Sequence, residues 1–76
     1  MNLWRPEVLL VGEPEGRRAG ELLGIVGGND SMDALLVAVA DLHTISEIFT
    51  TDPNDVERFC NARGARSRRI AVVNAQ

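Results

Sequence analysis

The sequence places four aspartates at the starts of two predicted helices. Asp30 and Asp33 stand one helical turn apart directly before the apolar run ALLVAVA, and Asp52 and Asp55 lie within the stretch TTDPND. Carboxylate oxygens are the ligands that Mg²⁺ and Mn²⁺ prefer, so these residues could hold a divalent cation. A structural role also explains three of them, since Asp30 and Asp52 are natural helix N-caps and Asp55 is a favourable first-turn acid. Asp33 is harder to explain in that way, because the apolar run after it predicts a partly desolvated carboxylate.

Arginines dominate residues 58–69, which contain no acidic residue. All eight basic residues of the chain are arginine, although the net charge is −3. A solvated basic segment explains this cluster. A phosphate-facing surface explains it too, because the planar guanidinium binds phosphate through two parallel hydrogen bonds. Composition leaves both alternatives open, and the candidate phosphate contacts are Arg66, Arg68 and Arg69.

The other residues capable of chemistry have simpler explanations. His43 ends a predicted apolar helix, where it can interact with the helix dipole, and Cys60 lies on an apolar stripe and is expected in the core. A single cysteine cannot form an internal disulfide, and no apolar run is long enough to cross a bilayer. With 45% apolar and 25% charged residues, the composition is that of a globular protein, expected in the cytoplasm.

Hydrophobic patterns and turn residues predict six elements in 76 residues. Proline at helix starts and glycine after helix ends set most of the boundaries. The predicted elements are a strand at 7–11, a helix closed by Gly27 and Gly28, a helix from about 30 to 42, a strand at 45–50, a helix that begins after Asp52 and ends before Gly64, and a strand at 70–73. This β-α-α-β-α-β order predicts one α/β domain with a short parallel sheet.

Two features of the predicted helices bear on packing. Gly16, Gly20 and Gly24 repeat at intervals of four, which favours a smooth face against a closely approaching neighbour. The run ALLVAVA is apolar nearly all round, so its helix should lie between other elements.

The predicted topology suggests where the acids meet. Ligands of parallel α/β sheets bind outside the carboxyl ends of the strands, and Asp52 follows a strand and begins a helix. If the helix that follows Asp30 and Asp33 has its N-terminus at the same edge, all three carboxylates point toward one crevice.

Three stretches together, GRRAGELLG, NDSMDALLVAVA and TTDPNDVERF, resemble the C-terminal half of PIN-domain ribonucleases. The similarity is closest to the toxins of bacterial toxin–antitoxin pairs of the virulence-associated C type, and it spans nearly the whole chain. It implies a partial PIN-like three-layer fold that cleaves RNA with Mg²⁺ or Mn²⁺. By this resemblance Asp33 and Asp52 are catalytic metal ligands, Asp30 and Asp55 are supporting acids, and Arg66, Arg68 and Arg69 are candidate RNA contacts.

The chain also departs from the family pattern. PIN domains usually contribute an Asp at the end of a first strand and a Glu from a second helical region, and neither has a counterpart in this sequence. We therefore expect weak ribonuclease activity, or none, from this chain alone. The alternative is a non-catalytic binding module that pairs with an antitoxin or with a complete PIN protomer, and a third possibility is a gene remnant without function. Three short strands and three helices are also too few to cover both faces of a parallel sheet and to protect its edges, which predicts a homodimer or a complementing chain.

Overall fold

A computed structural model describes residues 12–75. Within that range the chain forms three helices and two strands: α1 (Glu13–Val26), α2 (Ser31–Leu42), β1 (Glu47–Thr50), α3 (Pro53–Ala62) and β2 (Ala71–Asn74). The order α-α-β-α-β agrees with the prediction for these residues. The strand predicted at 7–11 lies outside the described residues.

The two strands form a parallel sheet, as the sequence predicted. Glu47 pairs with Ala71 at the end where the strands start, and Thr50 pairs with Asn74 at the end where they finish. Both strands are shorter or shifted relative to the predicted ranges, because the residues before them form the turns that lead out of α2 and α3. No helix within residues 12–75 has the length and apolar character needed to span a bilayer.

The core lies between the helices and one face of this sheet. Its largest fully buried side chains are Leu22 of α1, Val37 of α2, and Val56 and Phe59 of α3. Ile48 of β1 is buried beneath them.

The opposite face of the sheet is open within the described residues. Phe49 is 66% exposed, and its partner in the register, Val73, is only partly buried. Residues 12–75 therefore form two layers, and the third layer implied by the PIN resemblance is not among them.

Two predictions about helix packing are not met by the elements within residues 12–75. Leu36 in the ALLVAVA helix is exposed, so α2 is covered on one side only by the described elements. A Cβ built on Gly16, Gly20 or Gly24 meets no other element within 4 Å. The glycine face of α1 therefore does not touch a close neighbour within residues 12–75, because α1 packs on α2 and α3 through Ala19 and Leu22 instead.

Two side-chain clusters fasten the helices at the end where the strands start. In the first, Arg63 joins α2 to the end of α3: its Nη1 lies 2.8 Å from Asp41 Oδ1 and its Nε donates to the carbonyl oxygen of Cys60 at 3.1 Å. Arg18 of α1 donates to the other Asp41 oxygen at 3.3 Å. Burial raises the pKa of Asp41, but the two guanidinium groups outweigh burial and the net pKa lies below its usual value.

The second cluster joins α1 to the C-terminal end of α2. Glu15 is 8% exposed, and its Oε1 accepts a hydrogen bond from the Gly12 amide at 2.8 Å. Its Oε2 lies 2.7 Å from His43 Nε2. His43 is thus at the helix end, as predicted, and its ring pairs with a glutamate of another helix. This contact with His43, together with bonds from the amides of Glu15 and Gly12, lowers the pKa of Glu15 despite its burial.

The lowered pKa of Glu15 predicts a pH-dependent contribution to stability. A carboxyl group with a lower pKa in the folded state stabilises the fold above its unfolded pKa and loses that contribution as the pH falls through the folded value. Glu15→Gln should therefore lower the melting temperature at neutral pH, and the difference from wild type should vanish in strong acid. Glu13→Gln on the exposed side of the same turn is the control and should change little. Equal loss at neutral and acid pH would contradict this account.

Candidate metal site

The four aspartates lie at the end of the molecule where the strands finish. Asp52 follows β1 and precedes α3, and the amide of Asp52 donates to Thr50 Oγ1 at 3.0 Å, which fixes this short connection. Asp30 and Asp33 lie at the start of α2, and Asp55 is in the first turn of α3. Two helix N-termini and the end of a strand thus meet at one edge.

Three of these carboxylates converge. One oxygen from each of Asp30, Asp33 and Asp55 lies within 4.8 Å of the others. Asp33 and Asp55 are half-buried, and Asp30 is exposed. Asp52 is not a member of this group, so the structure brings together one of the two predicted catalytic residues with both predicted supporting acids.

The convergence of Asp33 and Asp55 follows from helix geometry. Asp33 is the third residue of α2 and Asp55 the third residue of α3. The two helices pack together with their N-termini at the same sheet edge, so their first turns face one another. Asp52 stands outside that turn, at the N-cap position.

Helix capping does not account for the acids. Asp30 and Asp52 occupy the N-cap positions of α2 and α3, yet neither side chain accepts a cap hydrogen bond. Asp55, in the first turn of α3, accepts a hydrogen bond from Arg58. The Asp30 and Asp52 carboxylates therefore remain available to a ligand.

The electrostatic environment of Asp33 is unfavourable for its negative charge. Burial raises its pKa, and the charges of Asp30, Asp55 and Asp52 raise it further, in that order. A divalent cation would relieve this repulsion, because it offsets like charges that otherwise face one another. All three converging ligands are carboxylate oxygens, which fits Mg²⁺ or Mn²⁺ better than zinc or copper.

The arginine segment lies at the opposite end of the sheet. Residues 66–69 precede β2, and Arg68 donates to the carbonyl oxygens of Ala40 and Ile45 at 2.9 and 2.8 Å, next to the C-terminus of α2. Twelve residues of α2 separate this end from the acids, which is about 18 Å at 1.5 Å per residue. One phosphate group cannot contact both clusters.

The three predicted RNA-contact arginines differ in their surroundings. The Arg68 guanidinium binds the carbonyl oxygens of Ala40, in the last turn of α2, and of Ile45, between α2 and β1, so it acts within the fold. Arg66 and Arg69 are exposed and form no hydrogen bond or ion pair with other residues in the range 12–75. Those two are the side chains of the segment that could reach a phosphate.

The contacts of Arg63, Asp41 and Glu15 were not predicted from the sequence. They join the helices and stabilise the fold. Cys60 is buried, as predicted, and burial raises the pKa of its thiol. It therefore lacks the thiolate character of a nucleophile.

Comparison of the chain with protein-family models, with curated proteins and with solved structures gave no match. Residues 12–75 form a small α/β fold with a two-stranded parallel sheet and a cluster of acids at its carboxyl edge.

Proposed function

We propose that this chain provides the acidic half of a metal-dependent endoribonuclease site of the PIN type, in the toxin of a toxin–antitoxin pair. The observation that supports this best is the convergence of Asp30, Asp33 and Asp55 within 4.8 Å beside a strand end. The raised pKa of Asp33 agrees with it, since a carboxylate held against three others is suited to a cation.

In this proposal Asp33 is the central ligand because it is half-buried and lies among the other acids. Asp30 and Asp55 bind the ion from either side. Asp52 lies at the rim of the site, where it adds negative charge and contacts the ion directly or through a water molecule. A bound Mg²⁺ or Mn²⁺ would activate a water molecule and stabilise charge on the phosphate. The side chains hold the ion in a fixed position, which is the contribution the protein makes.

RNA would also contact the far end of the molecule. Arg66 and Arg69 belong to the segment beside the C-terminal end of α2, and the acids lie at the other end of this helix, which is about 18 Å long, so the arginines would bind phosphates away from the cleaved bond. These contacts would position the strand without reading its sequence.

We expect low activity from this chain alone, because the first two acids of the PIN pattern have no counterpart in it. In the cell the partners would be RNA, a cognate antitoxin and a second protein chain, all in the cytoplasm.

Incubation of purified protein with a single-stranded RNA, in Mn²⁺ or Mg²⁺ and in EDTA, tests the proposal. We expect slow cleavage that requires the metal and that Asp33→Asn removes, while Glu47→Gln at the other end of the sheet leaves it unchanged. Cleavage that survives EDTA or Asp33→Asn would come from a contaminant or another mechanism. Metal binding without any cleavage would favour the alternative function.

The alternative function is a non-catalytic binding module that pairs with an antitoxin or a complete PIN protomer. The open sheet face with Phe49 and the exposed Met32 at the start of α2, 76% accessible, favour it. Large exposed apolar side chains are typical of surfaces that bind another protein.

A further inference from the structure

A groove between α3 and β2 lies away from the acidic site. It has a volume of about 660 Å³ and is bordered by the loop 63–69, and none of the four aspartates of the candidate metal site lines it. Its lining includes the buried residues Cys60 and Ile70 and the half-buried Val72. The groove therefore offers apolar contact surface to a ligand that the metal site does not hold.

Two polar residues of α3 line the same groove. Glu57 and Asn61 stand four positions apart, so they lie one turn apart on the same face of the helix. Both are exposed, and neither side chain forms a hydrogen bond or an ion pair with another residue in the range 12–75. The Glu57 carboxylate has two acceptor oxygens, whereas the Asn61 amide also carries a donor NH₂ group. Together they match a ligand that presents two neighbouring N–H donors beside a carbonyl oxygen.

Among the four RNA bases, guanine has this pattern. Its Watson–Crick edge carries N1–H and the N2 amino group side by side, next to the O6 carbonyl oxygen. Unpaired bases of single-stranded RNA present this edge to proteins. Adenine and cytosine offer a single amino group there, and uracil flanks its single N–H with carbonyl oxygens, which a carboxylate repels.

The positive charge of Arg69 lies at the end of the groove where β2 starts. Asn61 is near the C-terminus of α3, and Glu57 lies one turn closer to the end where the strands finish. A nucleotide whose phosphate contacts Arg69 can therefore direct its base along the groove toward Asn61 and Glu57. In this orientation the phosphate stays at the end of the groove away from the Glu57 carboxylate.

We propose that this groove binds one guanine nucleotide of a single-stranded RNA, with Arg69 on its phosphate and with Glu57 and Asn61 on the Watson–Crick edge of its base. Glu57 accepts hydrogen bonds from N1–H and from the N2 amino group, and Asn61 donates to O6. Ile70 and Val72 contact the ring. The assignment rests on the proposed function, in which RNA is the substrate, and it adds a contact that reads a base to phosphate contacts that do not.

Fluorescence anisotropy with short labelled RNAs tests this site. The full chain is used in EDTA, so that the RNA stays intact and no metal ion links it to the acids. We expect an oligouridylate with one central guanosine to bind roughly tenfold more tightly than the same RNA with adenosine there, since a good bidentate contact discriminates between bases by about that factor. Inosine at that position lacks the N2 amino group and should bind with intermediate affinity.

Variants of the α3 pair should change the preference and not only the affinity. Glu57→Gln and Asn61→Ala should each bring the ratio of the guanosine and adenosine affinities toward one. A change of net charge affects both RNAs alike, so the ratio isolates the base contact. Glu47→Gln and Asn54→Ala are the matched controls, since both residues are exposed outside the groove, and they should keep the wild-type ratio. Arg69→Ala should weaken both RNAs alike and flatten the salt dependence of binding.

The outcome is independent of the cleavage assay. Equal affinity for the two RNAs, no binding of either, or a guanosine preference that survives Glu57→Gln would overturn the assignment, even if the protein cleaves RNA in Mn²⁺. A preference that depends on Glu57, in a protein that cleaves no RNA, would support the groove and count against the nuclease.

Competition with free GMP separates two sources of the same chemistry. GMP should displace the labelled RNA only at concentrations far above the Kd of the RNA, because Arg66 contacts a further phosphate of the RNA that GMP lacks. GMP that binds as tightly as the RNA would identify a free nucleotide as the ligand and overturn the assignment to RNA.

Discussion

Asp33→Asn is expected to abolish binding of Mn²⁺ and Mg²⁺ by this protein. Asp33 is a half-buried member of the acidic group, and one of its carboxylate oxygens lies within 4.8 Å of oxygens of Asp30 and Asp55. Its replacement removes the central ligand and one negative charge together. Titration calorimetry with MnCl₂ should give measurable heat for wild type and none for the variant. Asp52→Asn should weaken binding less, because Asp52 acts on the site from outside the converging group.

The same substitution should have the opposite effect on stability without metal. The pKa of Asp33 is raised in the folded state, so the folded protein binds this proton more tightly than the unfolded chain does. The free energy of unfolding therefore falls as the pH rises from the unfolded-state pKa through the folded-state pKa. Asp33→Asn should therefore melt at a higher temperature than metal-free wild type at neutral pH. It should also lose the increase in melting temperature that wild type shows on addition of Mn²⁺.

Metal affinity of wild type should fall as the pH is lowered, because protons compete with the ion for Asp33. The raised pKa of Asp33 places the start of this loss above the pH at which an ordinary aspartate titrates. Glu47→Gln, at the opposite end of the sheet, is the control for all three measurements. Unchanged Mn²⁺ affinity in Asp33→Asn would remove this residue from the site and would leave repulsion among the acids without a function.

The helices could be predicted from the sequence because their boundaries are marked locally. Pro14 and Pro53 fall in first turns, and Gly27 and Gly64 follow helix ends with positive φ angles of 82° and 100°. These residues act within a few positions of themselves, so no knowledge of the tertiary structure is needed to interpret them.

The edge of the sheet that gathers the acids could also be predicted, since it follows from topology. Which of the acids converge could not be predicted from the sequence. Asp55 looks like a solvated first-turn acid in the sequence, and only the packing of α3 on α2 turns it toward Asp33. Asp52 is the residue that the resemblance to PIN domains marks as a metal ligand, yet its place at the N-cap leaves it outside the converging group.

Contacts between distant residues were not predictable at all. Arg63 and Asp41 are 22 positions apart, and Glu15 and His43 are 28 positions apart. No periodic pattern relates residues at such separations, because their meeting depends on how the helices pack. The weak local signals are Asp41 directly after an apolar run and Arg63 directly before a glycine.

Arg63→Ala is expected to be the most destabilising substitution of a charged residue outside the acidic site. The Arg63 side chain is 4% exposed, and its three nitrogens bind Asp41, the carbonyl oxygen of Cys60 and that of Arg68. The substitution leaves a partly buried Asp41 with Arg18 alone and two carbonyl oxygens without this donor. Removal of one partner from a buried ion pair costs about 3–5 kcal/mol. A domain of this size has a free energy of unfolding of roughly 4–11 kcal/mol, so much of the stability would be lost.

Denaturation in urea measures this loss, with Arg58→Ala as the matched control. Arg58 pairs with Asp55 on an exposed surface, and such pairs contribute about 0–1 kcal/mol. The double variant Arg63→Ala/Asp41→Ala should recover part of the loss, because it no longer leaves a buried carboxylate short of a partner. If Arg63→Ala unfolded at nearly the same urea concentration as Arg58→Ala, the cluster of Arg18, Asp41 and Arg63 would not hold the three helices together. The small core would then have to fix their relative positions, and with them the meeting of Asp33 and Asp55, by apolar packing alone.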